Sequence, residues 1–151
     1  MQSDRYLDDF TLGECFSTPA VTLTESGIID FALKYDPQPF HLDANAAGES
    51  LFGGLIASGF QTLALSFRLF IQSGILERCS MGSPGIDELR WQAPVRPGDT
   101  LQTQVEVVAV TPSRSKPDRG ILRLQYRVRN QHNDVVLSYI INHFLARRSN
   151  P

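Results

Sequence analysis

The chain has few of the residues that build crosslinks and metal centres. Among its 151 residues are two cysteines, Cys15 and Cys79, and no C-x-x-C spacing joins them. A domain of this length does not need a disulfide staple, so the thiols are expected to stay reduced, as in a cytosolic protein. Histidine occurs three times, at positions 41, 132 and 143. His41-x-Asp43 supplies two possible metal ligands, but a site needs three or four, and no spacing recruits His132 or His143. No metal and no cofactor is expected. Excess positive charge is missing as well, with a formal net charge of -2 and a pI near 5.9. That argues against nucleic acid as a partner, although a local arginine cluster could still meet a small phosphorylated ligand. Apolar runs are broken well short of a membrane span, and the opening MQSDRYLDDF lacks the apolar core of a signal peptide. There is no internal repeat and no low-complexity segment. The expectation is a single soluble, cytoplasmic domain over residues 1–151.

Residue periodicity organises the rest. Residues 8–23 are expected to be extended, with alternation around Val21 and Leu23. Thr24 can cap a helix whose apolar face is Ile28, Ile29, Phe31, Ala32 and Tyr35, and Pro37 ends it. Asp36 to Gly54 is irregular, with a turn of helix expected at Ala44–Ala47. Ser58 to about Ser73 has helical spacing in Phe60, Leu63, Ala64, Phe67, Phe70 and Ile71, with Leu65 and Leu69 off that stripe. A helix so apolar around its circumference is expected to be buried, with Gly74 as its left-handed cap. The period then changes from helical to alternating. Strands are expected at Ile86–Trp91, near Leu101–Ala109, near Leu122–Val128 and at Val135–Ala146, separated by turn-rich segments. One apolar helix and a meandering sheet bury each other only if the sheet curls around the helix. The fold class is therefore α+β, an antiparallel sheet wrapped around a long central helix. Exposed strand edges invite a second copy, so a homodimer or a multiple of dimers is expected.

The stretch YDPQPFHLDANAA, residues 35–47, has more chemistry than a turn needs. Asp36 and His41 lie five residues apart with Pro37 and Pro39 between them. Two fixed φ angles lower the entropy lost in holding an acid and an imidazole at a set distance. Such a pair can hold a water, take one proton from it and return one elsewhere, which is what hydration of a double bond requires. The plainer alternative is a surface loop in which Asp36 caps the preceding helix and His41 bonds to backbone. Asp43 reads as a turn or helix-capping carboxylate. Trp91 and the helix phenylalanines read as core. No base is visible near either cysteine.

YDPQPFHLD resembles the signature of the MaoC-like, hotdog-fold (R)-specific enoyl-CoA hydratases, of the form D-x-N-P-x-H-x-D. The resemblance runs from about residue 8 to 147. It includes Ser58-Gly59-Phe60 at the start of the central helix and DELRWQAPVRPGDTL after it. It implies a hotdog fold, with Asp36 and His41 as the catalytic pair and Gln38, Ser58 and Gly59 as substrate-binding residues. Three positions depart from the pattern: Tyr35 where glycine is frequent, Gln38 for Asn, and Ser58 for His. The implied substrate is an acyl-CoA thioester whose carbonyl oxygen meets the Gly59 N–H at the helix N-terminus. Glycine at that position either lets the thioester approach or lets the helix pack on the sheet. The implied reaction is reversible syn addition of water to a trans-2-enoyl-CoA, giving a 3-hydroxyacyl-CoA. The alternatives are a hotdog acyl-CoA thioesterase, or a non-catalytic acyl-CoA-binding protein. The helix 58–73 has no Asp or Glu, which counts against the thioesterase. A mere binder needs neither Asp36 nor His41. Arg90, Arg96, Arg114 and Lys116 are candidates for the CoA phosphates.

Overall fold

The computed structural model describes residues 4–148. A short 3-10 turn, Leu7–Asp9, precedes β1 (Cys15–Thr22) and α1 (Glu25–Tyr35). Two short helices follow, α2 (Pro39–Leu42) and α3 (Ala44–Glu49), then the long helix α4 (Gly59–Ile71). Four strands follow among the described residues: β2 (Gly85–Trp91), β3 (Thr100–Pro112), β4 (Arg119–Arg129) and β5 (Val135–Ala146). The strands form one antiparallel sheet in the order β1-β3-β4-β5-β2. This is the α+β arrangement that the periodicity predicts. Among the described residues, no helix is long and apolar enough to cross a membrane.

Local chemistry explains the helix ends. Thr24 Oγ1 accepts the Gly27 N–H at 3.0 Å, and Ser58 Oγ accepts the Phe60 N–H at 3.2 Å. Each satisfies a donor that the first turn leaves without an intrahelical partner. At the far end of α4, Gly74 takes φ +76°, a conformation that costs other residues a steric clash. The expected irregular stretch 36–54 is more ordered than its prolines suggest. Pro39 sits at the first position of α2, where its missing N–H costs nothing. Asp43 then caps α3, accepting the Asn45 and Ala46 N–H groups at 2.9 and 3.2 Å.

The core lies between α4 and the inner face of the sheet, where β4 buries every second residue: Leu122, Leu124, Tyr126 and Val128. The long helix departs from the expectation of burial on most of its circumference. Its fully buried face is Thr62, Ser66, Leu69 and Phe70. Two of these are polar, and the sheet satisfies Ser66: its hydroxyl pairs with Tyr139 Oη at 2.7 Å, and its carbonyl accepts Thr103 Oγ1–H at 3.1 Å. The apolar stripe through Phe60, Leu63, Phe67 and Ile71 instead lines an open groove of about 860 Å³, with Ile86 and Ile141 on the sheet side. Phe60 is 60 % exposed. Periodicity marks a water-shunning face; it does not say what covers that face. β2 borders the groove as an edge strand, and its residues are mostly exposed.

Candidate active site

Asp36 is the residue on which α1 ends, and the loop it opens folds back so that α2 brings His41 beneath it. Burial of His41 is nearly complete, at 4 % exposure. Its Nδ1 lies 2.7 Å from the Ile56 carbonyl oxygen. A carbonyl can only accept, so Nδ1 bears the hydrogen and Nε2 is the nitrogen turned toward the carboxylate. That nitrogen is 3.2 Å from Asp36 Oδ2. The prolines flanking Gln38 thus deliver an oriented acid–imidazole pair and not a surface loop.

Asp36 is held from three sides. Gln38 Nε2–H donates to Oδ1 at 2.6 Å, and Ser58 Oγ–H donates to Oδ2 at 2.7 Å. Burial pushes the Asp36 carboxyl up, but the bonds from Ser58 and Gln38, with His41 beside it, outweigh burial and leave it below its ordinary value. The carboxylate is therefore ionised at neutral pH. Ser58 joins two elements, because the hydroxyl that caps α4 also donates to Asp36. Its hydrogen is thereby engaged within the protein, as are the Gln38 amide hydrogen on Asp36 and the Asp36 oxygens that receive them.

The pair opens into a cavity of about 380 Å³. Phe40, Phe52 and Ile56 line one part of it, and Gly59, Phe60 and Trp91 another. Polar chemistry is gathered at Asp36, Gln38 and His41, against largely apolar surroundings, the usual composition of a site for a small organic group. The N-terminus of α4 also faces this cavity through Gly59. As the first residue of the helix, Gly59 has an N–H with no intrahelical acceptor.

Of the two explanations for a glycine here, packing is the one that the geometry carries. A Cβ on Gly59 would lie 2.5 Å from Trp91 Cε2. Trp91, expected in the core, is 47 % exposed and stands at the rim of the cavity. Among the described residues β2 is an edge strand, so Trp91, paired with Leu137 on one side, has no strand on the other to cover it. The Ile56 carbonyl and the Trp91 indole are the two site groups that sequence alone does not reveal. A backbone acceptor leaves no signal, and a lone tryptophan in a strand normally means core. Of the four basic candidates, Arg96 reaches the neighbourhood, with its guanidinium donating to the Phe52 carbonyl. Arg90 donates to the Leu89 carbonyl, and Arg90, Arg114 and Lys116 do not line the cavity.

Residues 9–125 match the MaoC like domain. The chain belongs to this family. The uncharacterised protein YdeM of Bacillus subtilis is 38 % identical over 125 residues, 83 % of this chain and 87 % of that protein. An (R)-specific enoyl-CoA hydratase of Rhodospirillum rubrum is 31 % identical over 115 residues, 72 % of this chain and 74 % of the hydratase. Among solved structures, a MaoC-like dehydratase from Rhodospirillum rubrum superposes with a TM-score of 0.90 at 41 % identity. That match covers 97 % of this chain and 99 % of the other. The MaoC-like architecture is the hotdog fold, with α4 as the helix that the sheet wraps.

Proposed function

We propose that this MaoC-like chain is an acyl hydratase, adding water syn across the double bond of a trans-2-enoyl-CoA and removing it in reverse. The observation that carries the proposal is the Asp36–His41 pair, joined at Oδ2 and Nε2 and opening into an apolar cavity at the N-terminus of α4. The 31 % identical (R)-specific enoyl-CoA hydratase supports it.

Each part has a chemical task. The thioester carbonyl oxygen points at the Gly59 N–H, where the helix dipole and the free donor stabilise the negative charge of the enolate. Water sits against Asp36 and His41. As its oxygen bonds to C3, the pair takes a proton from it and returns a proton to C2, so both additions come from one face. Asp36 and His41 act as one coupled unit. Ser58 and Gln38 hold the carboxylate at fixed distance and in its ionised form. A thioesterase usually needs a carboxylate near the carbonyl carbon, and the only charged side chain on α4 is Arg68, which is exposed.

Assembly belongs to the same proposal. A groove of about 860 Å³ beside an edge strand that pairs on one side only is the kind of surface a second copy covers. A homodimer, or a multiple of dimers, is therefore expected by light scattering at micromolar concentration; a monomer there refutes it. The reaction is tested in heavy-isotope water with a panel of enoyl-CoAs. Hydration puts labelled oxygen at C3 and deuterium at C2, with the thioester intact. Release of free CoA at a comparable rate, read with a thiol reagent, overturns the proposal in favour of thioester hydrolysis.

A further inference from the structure

The N-terminal turn of α4 is tied to the rest of the molecule from two directions. On one side Ser58 Oγ–H donates to Asp36 Oδ2 at 2.7 Å. On the other, Trp91 Nε1–H donates to the Gly59 carbonyl at 3.0 Å, across 32 positions of sequence. The Trp91 ring also meets Phe60 edge-to-face, with centroids 6.0 Å apart. Its indole occupies the space where a Gly59 side chain would stand. Trp91 ends the edge strand β2, where it pairs in register with Leu137. It therefore couples the edge of the sheet to the first turn of the helix.

From this arrangement we infer that Trp91 is a positioning residue for the hydratase reaction. The inference rests on the function proposed above. The indole N–H bonds a carbonyl that, in helical geometry, already accepts the Leu63 N–H. A second donor on that oxygen fixes the plane of the peptide after Gly59. The glycine allows the ring to press against its Cα, so the turn is clamped by a hydrogen bond and by contact together. Gly59 N–H, one peptide earlier, is the donor for the developing enolate. Its distance from Asp36 and His41 is set by the two ties. Ser58 holds the turn to the carboxylate, and Trp91 holds it to the sheet. Half-exposed tryptophan at this rim is thereby explained: the ring sits outside the core because its partner is the helix end.

Two readouts separate this role from that of a simple cavity wall. Trp91→Phe keeps a ring and deletes the donor. A displaced oxyanion donor lowers kcat and leaves ground-state binding nearly intact, so kcat is expected to fall about tenfold with KM within about twofold. Trp91→Ala, which also removes the contact, is expected to lower kcat further. A wall alone would instead leave Trp91→Phe like the wild type and raise KM in Trp91→Ala. The second readout needs no turnover. Amide hydrogen exchange across the first turn of α4, read at Leu63, is expected to speed up severalfold in Trp91→Phe while β4 amides stay unchanged. Unchanged kcat in Trp91→Phe overturns the inference, and so does unchanged exchange at Leu63. A wild-type protein that hydrates no enoyl thioester overturns the hydratase proposal and with it the catalytic role of Trp91. In that event the exchange measurement still decides whether Trp91 anchors the helix.

Discussion

His41 and His143 are equally buried, each at 4 % exposure, yet they occupy opposite kinds of environment. His41 has a backbone carbonyl on one nitrogen and a carboxylate on the other. Its carboxylate partner is itself held by Ser58 and Gln38. His143, on β5, meets Tyr126 Oη through Nε2 at 2.8 Å and stacks on Phe67, with centroids 6.5 Å apart. Among the described residues no charged group bonds it, and burial pushes its pKa down to about 4. One histidine is held beside a carboxylate; burial keeps the other neutral, with Tyr126 and Phe67 against it. Burial by itself does not distinguish a catalytic imidazole from a structural one. In the hydratase proposal the carboxylate beside His41 makes that distinction.

The contrast is broken most severely at the pair. Asp36→Asn and His41→Ala should each lower hydration by about two to four orders of magnitude, the usual scale for general acid–base groups. Circular dichroism should show both variants folded. Near-wild-type turnover in either would remove the pair from the mechanism.

A smaller effect, on stability and not on turnover, is expected at His143. The folded value of about 4 lies below the ordinary 6.5. Between those values the unfolded chain binds more protons than the folded one. Stability should therefore fall as the pH drops from about 6.5 to about 4, by about 3 kcal/mol in total from this residue. Denaturant titrations across that range should show the slope, and His143→Phe should flatten it. At pH 8 that variant should hydrate substrate within a few-fold of the wild type, which His41→Ala should not.

Ser58→Ala gives the smallest change in stability and sharpens how the site is held. It removes a helix cap, at a cost of about 1 kcal/mol. It also deletes the largest influence lowering the Asp36 carboxyl, so that burial is less opposed. The acid limb of kcat/KM should move to higher pH, with kcat down about tenfold. An unmoved limb would mean that Ser58 only caps the helix.

Much of this was legible beforehand because local chemistry decided it. Pro37 ends α1, Thr24 and Asp43 cap their helices, and the alternation in 122–128 sets which side of β4 is buried. The close spacing of Asp36 and His41 around two prolines is also a local fact, and it marked the pair as a candidate. Other features needed contacts between residues far apart in the chain. Ser58 reaches Asp36 across 22 positions, and Ile56 orients His41 across 15. Trp91 reaches Gly59 only because β2 lies at the edge of the sheet. The apolar stripe of α4 was plain from its spacing, but its exposure followed from the sheet covering the other, partly polar face. Periodicity and capping act over a few bonds, so sequence determined the long helices and the approximate course of the four later strands, but not α2 or the full length of β3 and β4, and it determined the acid–base candidates. Which carbonyl, hydroxyl or indole meets them is set by how the sheet closes on the helix, and only the tertiary structure decided that.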